Sequence, residues 1–210
     1  GPVKFCNFAV QTYPVMENNI TDAICVYGAS SSIIDPCYTD DGRQLGRLIA
    51  LSGHPLVCGG GKAGIMKAAI EGAIAEGGKT IGVLPEFMMK NSWQHPELSE
   101  VIVTDGMHSR KRAMASMSMA AIACAGGCGT FEELMEIITW RQLGLFRGRV
   151  VILNTRGYYD PMLQMLSRAI AEGFMFEAHA ALWDVASTPR EAIELALKPV
   201  DISTFPQKIH

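Results

Sequence analysis

The chain has 210 residues, 49% of them hydrophobic and 19% charged, with a formal net charge of −3. Such a length and composition predict one domain with a sizeable core, and the slight acidic excess argues against nucleic acid as the main partner, because duplex affinity rests on basic surface. No apolar run is long enough to span a bilayer, and the first residues lack the basic-apolar-small order of a secretory signal, so no membrane partner is expected.

Residues 1–20 read as a weakly apolar N-terminal arm, with Pro2 and Pro14. From there the pattern becomes regular. Residues 23–27 read as a strand ending in Gly28-Ala29-Ser30-Ser31-Ser32, and 40–52 as a helix stopped by Gly53. A strand over 56–58, a helix over 65–76 and a strand over 80–84 follow, then a short strand over 101–103. Helix 109–118, strand 120–124 and helix 130–143 come next, the last stopped by Gly144. A strand over 150–153, a helix over 159–172, a strand near 182–185 and a helix over 189–197 complete the series, with Thr188 and Pro189 placed as N-cap and first helical residue. Residues 201–210 form a C-terminal tail. Strands alternating with helices predict a single α/β domain over 21–200, a doubly wound parallel sheet with helices on both faces. In such sheets ligands bind outside the carboxyl ends of the strands, and each glycine- or serine-rich turn falls at such an end.

Cys6, Cys25, Cys37, Cys58, Cys124 and Cys128 show no close pair at metal-ligand spacing, and the five histidines are scattered. Buried thiols in a reducing, cytoplasmic setting are expected, with no metal.

Two glycine turns carry the chemistry. Ala125-Gly126-Gly127-Cys128-Gly129-Thr130-Phe131-Glu132-Glu133 joins a strand to a helix, and Gly59-Gly60-Gly61-Lys62-Ala63-Gly64 does the same earlier in the chain. Glycines let the backbone approach closely, and free N–H groups of a first helical turn favour an anion such as phosphate. The earlier turn also fits the spacing of a dinucleotide fingerprint, with Glu86 after the next strand, or of a tight turn alone. Thr130 and Glu133 fit a capping box, in which Glu133 merely holds the helix start. The same carboxylate would also stand at the mouth of the anion seat, where it could stabilise positive charge at an anomeric carbon and activate water. Met107-His108-Ser109-Arg110-Lys111-Arg112 places three cations within a turn at another strand-to-helix junction, and arginine suits phosphate. The methionines 107, 114, 117 and 119 are expected to pack a core or a subunit contact.

At these residues the chain resembles the Lonely Guy (LOG) family, cytokinin riboside 5′-monophosphate phosphoribohydrolases long misannotated as lysine decarboxylases. Ala125 through Glu133 is similar to the family's P-G-G-x-G-T-x-x-E, with Ala125 in place of proline and Cys128 at the variable position. Met107 through Lys111, Gly59 through Met66, Ile137 through Gly144 and Gly157-Tyr158-Tyr159 extend the likeness over about 23–197. The resemblance implies a Rossmann-like, usually dimeric enzyme needing no cofactor. It implies hydrolysis of the N-glycosidic bond of AMP or an N6-modified AMP to free base and ribose 5-phosphate. Arg110 and Glu133 align with the family's catalytic pair. Gly28, Ser30, Gly60, Gly61, Gly64, Met66, Lys111, Gly126, Gly127, Cys128, Gly129, Thr130 and Thr139 are the candidate substrate and phosphate contacts, with Glu86 approximately so. A non-catalytic nucleotide or molybdenum-cofactor carrier is the alternative. The decarboxylase label would need a Schiff base on a lysine such as Lys62 or Lys111.

Overall fold

A computed structural model describes residues 21–200; the N-terminal arm and the C-terminal tail lie outside the described residues. The core is a seven-stranded sheet of order β4-β3-β2-β1-β5-β6-β7. The strands are β1 (Ala23–Tyr27), β2 (Leu56–Cys58), β3 (Thr80–Pro85), β4 (Glu100–Thr104), β5 (Ser118–Ala123), β6 (Arg149–Leu153) and β7 (Asp184–Ala186). Every neighbouring pair is parallel. A parallel sheet must be covered on both faces, which is why β1 reads as an unbroken apolar run whose five residues are all buried. Alternate residues serve opposite cores: Ala23, Cys25 and Tyr27 pack with one cluster, Ile24 and Val26 with the other.

The helices are α1 (Pro36–Leu51), α2 (Gly64–Ala75), α3 (Glu86–Lys90), α4 (Met107–Ser116), α5 (Cys128–Gln142), α6 (Asp160–Ala171) and α7 (Pro189–Ala196). Residues from α4 and α5 fill the first core, and residues from α1, α2 and α7 the second. Among the described residues no helix is long and apolar enough to cross a membrane.

Several boundaries differ from the sequence expectation. α1 starts at Pro36 rather than near residue 40, because Asp35 caps it by accepting from the Cys37 N–H at 3.0 Å and Pro36 supplies a preset φ. α3 has no apolar periodicity to announce it and was not expected. The α5 start moves from Thr130 back to Cys128, with Gly127 as a cap that offers no side chain. That shift corrects the capping-box reading: Thr130 is the third helical residue, and Glu133 lies a turn too deep to reach the cap.

The chain order reverses between β1 and β5, the switch point where parallel sheets open a crevice. The two strands stay paired past their ends, with Cys124 N–H donating to the Tyr27 carbonyl at 2.9 Å and Ala29 N–H to the Ala125 carbonyl at 3.0 Å. Their loops therefore leave the sheet side by side.

Candidate functional site

Above that switch point lies a cavity of about 690 Å³. It is bounded by Gly28, Ser30 and Ser31 after β1, Gly59, Gly61, Lys62 and Ala63 after β2, and Gly127, Gly129, Thr130, Glu132 and Glu133 from the start of α5. Met66, Leu84, Met88, Trp93 and Met107 give it an apolar side, and Arg110 enters from α4.

Arg110 and Glu133 are the charged centre. Their side chains are 7% and 13% exposed, and Nη1 of Arg110 stands 3.9 Å from Oε1 of Glu133. Arg110 is anchored by its own backbone-directed bond, Nε donating to the Val83 carbonyl at 2.9 Å. Burial pushes the Glu133 carboxyl up to about 7, despite the opposing pull of Arg110 and Lys111, and the neighbouring Glu132 and Glu136 add to the rise. A buried carboxylate that titrates near neutrality is suited to take and return a proton.

The start of α5 borders the same cavity. Among the described residues no side chain caps this helix, and Gly127, Gly129 and Thr130 at its first turn border the cavity, where backbone N–H groups of a helix start favour an anion. Two tyrosines hold the loop that leads into it. The Tyr158 hydroxyl donates to the Gly126 carbonyl at 2.5 Å, and the buried Tyr159 hydroxyl to the Cys124 carbonyl at 2.8 Å. Ala125, at the signature proline's place, is buried and keeps its carbonyl bonded to Ala29.

The second glycine turn behaves differently. The Ala29 carbonyl accepts from Ile65 N–H at 2.8 Å and from Met66 N–H at 3.4 Å, so α2's first turn is already occupied by protein. Gly64 permits this closeness: its φ is +63°, and a Cβ there would lie 2.4 Å from the Ala29 oxygen. The turn is therefore a floor for the cavity rather than a second anion cradle, which also removes the dinucleotide reading. Segment 92–95 is tied onto it by Lys62 N–H to Trp93 carbonyl at 3.1 Å, Lys62 Nζ to Ser92 carbonyl at 2.6 Å and His95 N–H to Gly60 carbonyl at 2.8 Å.

The structure brings Gly28, Ser30, Gly61, Met66, Arg110, Gly127, Gly129, Thr130 and Glu133 to one cavity. Gly60, Gly64 and Gly126 lie in its supporting turns, and Cys128 is exposed without bordering the cavity. Glu86 is placed away from it, exposed at the start of α3 and paired with Lys90 at 3.7 Å. Thr139 is exposed on α5 and donates to the Met135 carbonyl at 2.8 Å. Lys111 is buried against Glu132 and Glu136 instead of lining the cavity. Burial opposes its charge, but the hydrogen bonds that the ammonium donates to those two carboxylates outweigh this and hold it above its ordinary range. That is the reverse of what imine formation on a lysine requires. Sequence reasoning missed Met88 and Trp93, which no glycine or charge pattern marks.

A family model described as possible lysine decarboxylase matches residues 66–196. The chain is 40% identical over 171 residues to the cytokinin riboside 5′-monophosphate phosphoribohydrolase LOG of Oryza sativa subsp. japonica, covering 81% of this chain and 70% of that one. It is 37% identical over 180 residues to the cytokinin riboside 5′-monophosphate phosphoribohydrolase LOG4 of Arabidopsis thaliana, covering 85% and 83%. Among solved structures, the molybdenum cofactor binding protein from the phototrophic bacterium Rippkaea orientalis is similar with a TM-score of 0.64 at 28% identity, over 83% of this chain and 94% of that one. With such relatives over most of its length, the chain belongs to the LOG family, the one its family model describes as possible lysine decarboxylases.

Proposed function

We propose that this protein hydrolyses the N-glycosidic bond of a purine nucleoside 5′-monophosphate, AMP or an N6-modified AMP, to free base and ribose 5-phosphate. The Arg110–Glu133 pair carries the reading: an ionisable carboxyl and a fixed guanidinium 3.9 Å apart, both nearly buried, in a cavity large enough for a nucleotide. The names of the plant relatives support the same reaction class.

The phosphate would sit on the amides of the α5 start, beside Gly127, Gly129 and Thr130. Arg110 would orient the phosphoribose. As the C1′–N9 bond breaks, its electron pair leaves with the base and positive charge grows on the sugar, which an ionised Glu133 stabilises. Glu133 takes a proton from the attacking water, whose hydroxyl joins C1′, and that proton completes the departing base. The apolar wall of Met66, Leu84, Met88 and Trp93 suits the base.

Glu133→Gln keeps the shape and removes the charge. Incubated with AMP and resolved by chromatography, the wild type should release adenine and the variant none. Wild-type turnover by the variant would remove Glu133 from the mechanism.

We also infer a homodimer, supported by the exposed Leu143 and Leu145 beyond the exposed Thr139 on α5; Thr139 would then serve a second subunit's cavity. A reducing, cytoplasmic setting is supported by the buried free thiols Cys25, Cys58 and Cys124. The similarity to the cofactor-binding protein favours a carrier as second reading. Tight nucleotide binding with no base release at any pH would support it.

A further inference from the structure

The adjacent cations at the start of α4 face different surroundings. Arg110 lines the cavity; Lys111 does not. The Lys111 ammonium crosses to α5, where it binds Glu132 and, at 3.0 Å, Glu136. These carboxylates are four residues apart and so lie on one stripe of the helix, with Glu133 beside them facing Arg110. α4 rests on β3, β4 and β5, and α5 on β1 and β5. The ion pairs thus tie together two helices whose seats on the sheet meet at β5.

We propose that Lys111 is a positioning residue rather than a substrate contact: by bridging Glu132 and Glu136 it locks the start of α4 to α5 and so sets the approach of Arg110 to Glu133 across the cavity. For its activity readout this rests on the phosphoribohydrolase reading above.

The charge pattern gives the lock a measurable consequence. Two cations, Arg110 and Lys111, meet three carboxylates, Glu132, Glu133 and Glu136, leaving one negative charge in excess. Glu133 is the least exposed of the three, at 13% against 54% and 25%, so the excess is relieved by a proton there. The other groups facing it are Cys25 and Tyr27 from β1, Cys58 from β2 and Tyr159 after β6; burial raises the pKa of each and keeps it neutral. Loss of Lys111 would leave Glu132 and Glu136 without their shared counter-charge and raise the proton affinity of Glu133. Loss of the Glu136 charge would lower it.

The test compares wild type, Lys111→Met, Lys111→Arg and Glu136→Gln in kcat/KM for AMP from about pH 5 to about pH 9. The acid limb should move up by roughly 0.5–1 pH unit in Lys111→Met, move down in Glu136→Gln and return in Lys111→Arg, with KM changed less than ~3-fold throughout. A tenfold or greater rise in KM with the limb in place would make Lys111 a phosphate contact and overturn the proposal. The Glu133 carboxyl is also titrated directly by 13C NMR, a measurement that needs no turnover. Identical midpoints in wild type, Lys111→Met and Glu136→Gln would overturn the proposal even in a protein that hydrolyses no nucleotide. Absence of AMP hydrolysis by the wild type with shifted midpoints would sink only the enzymatic reading. If Lys111→Met fails to fold, Glu136→Gln decides alone.

Discussion

A Cβ placed on Gly59 would lie 1.9 Å from Nη2 of Arg110. The first glycine of the second turn therefore makes room for a cation at the cavity floor. Gly59→Ala should push the guanidinium away from Glu133 while Nε stays tied to Val83. We expect kcat for adenine release to fall by at least ~10-fold, because a misplacement near 1 Å is expensive in catalysis, with a stability cost of about 1–3 kcal/mol from overpacking. Steady-state kinetics and thermal melts check both. Unchanged kcat would mean that the guanidinium's placement is immaterial.

Glu133 links activity to stability. Its folded carboxyl binds a proton up to about pH 7, whereas an unfolded one releases it near the ordinary value of 4.5. Between these values the native state holds the extra proton, so stability declines as pH rises through that window and the loss is complete above it. The shift corresponds to roughly 3 kcal/mol. Glu133→Gln should thus be inactive yet more stable than wild type above pH ~7.5, the two converging below pH ~5. Denaturant melts at both extremes would reveal a constant difference if burial were not the cause.

Gly129 has open space around the position of a Cβ and borders the α5 start. Gly129→Asp places a carboxylate where the phosphate would bind and offers the helix dipole a competing anion. AMP affinity measured by calorimetry should fall by at least ~10-fold, with stability changed by less than about 1 kcal/mol. Retained affinity would move the anion seat elsewhere.

Tyr158 donates to the Gly126 carbonyl, and its ring stacks on Phe131 with centroids 6.4 Å apart. Tyr158→Phe keeps the stacking and loses one bond to the loop. Stability should drop by about 1 kcal/mol, and KM for AMP should rise several-fold as the loop loosens. A fall in kcat alone, at constant KM, would contradict a role in shaping the seat.

Much of this architecture is readable along the chain, because alternation of short apolar runs with amphipathic stretches is a local signal. β1, β2, α2, β6 and α7 are found within a residue or so of their expected places. The α5 start was misjudged for a local reason too: Thr130 and Glu133 match a capping box, but Gly127 can end the loop without a side chain. α3 and Trp93 escaped because a five-residue helix has no period, and Trp93 is held at the cavity by backbone bonds to Met88 and to Lys62, the latter distant in the chain.

Order and residue type alone were enough for the element sequence and the glycine turn before α5, since these depend on neighbours within a few residues; Arg110 and Glu133 were singled out together by the family resemblance, and their approach to 3.9 Å is a product of the fold. The sheet order, the diversion of α2's amides to Ala29, the burial that lifts Glu133 toward neutrality and the turning of Lys111 to Glu132 and Glu136 arise between segments far apart in the chain. Desolvation and ion pairing depend on distances in space, and those distances exist only once the sheet has closed its crevice between β1 and β5.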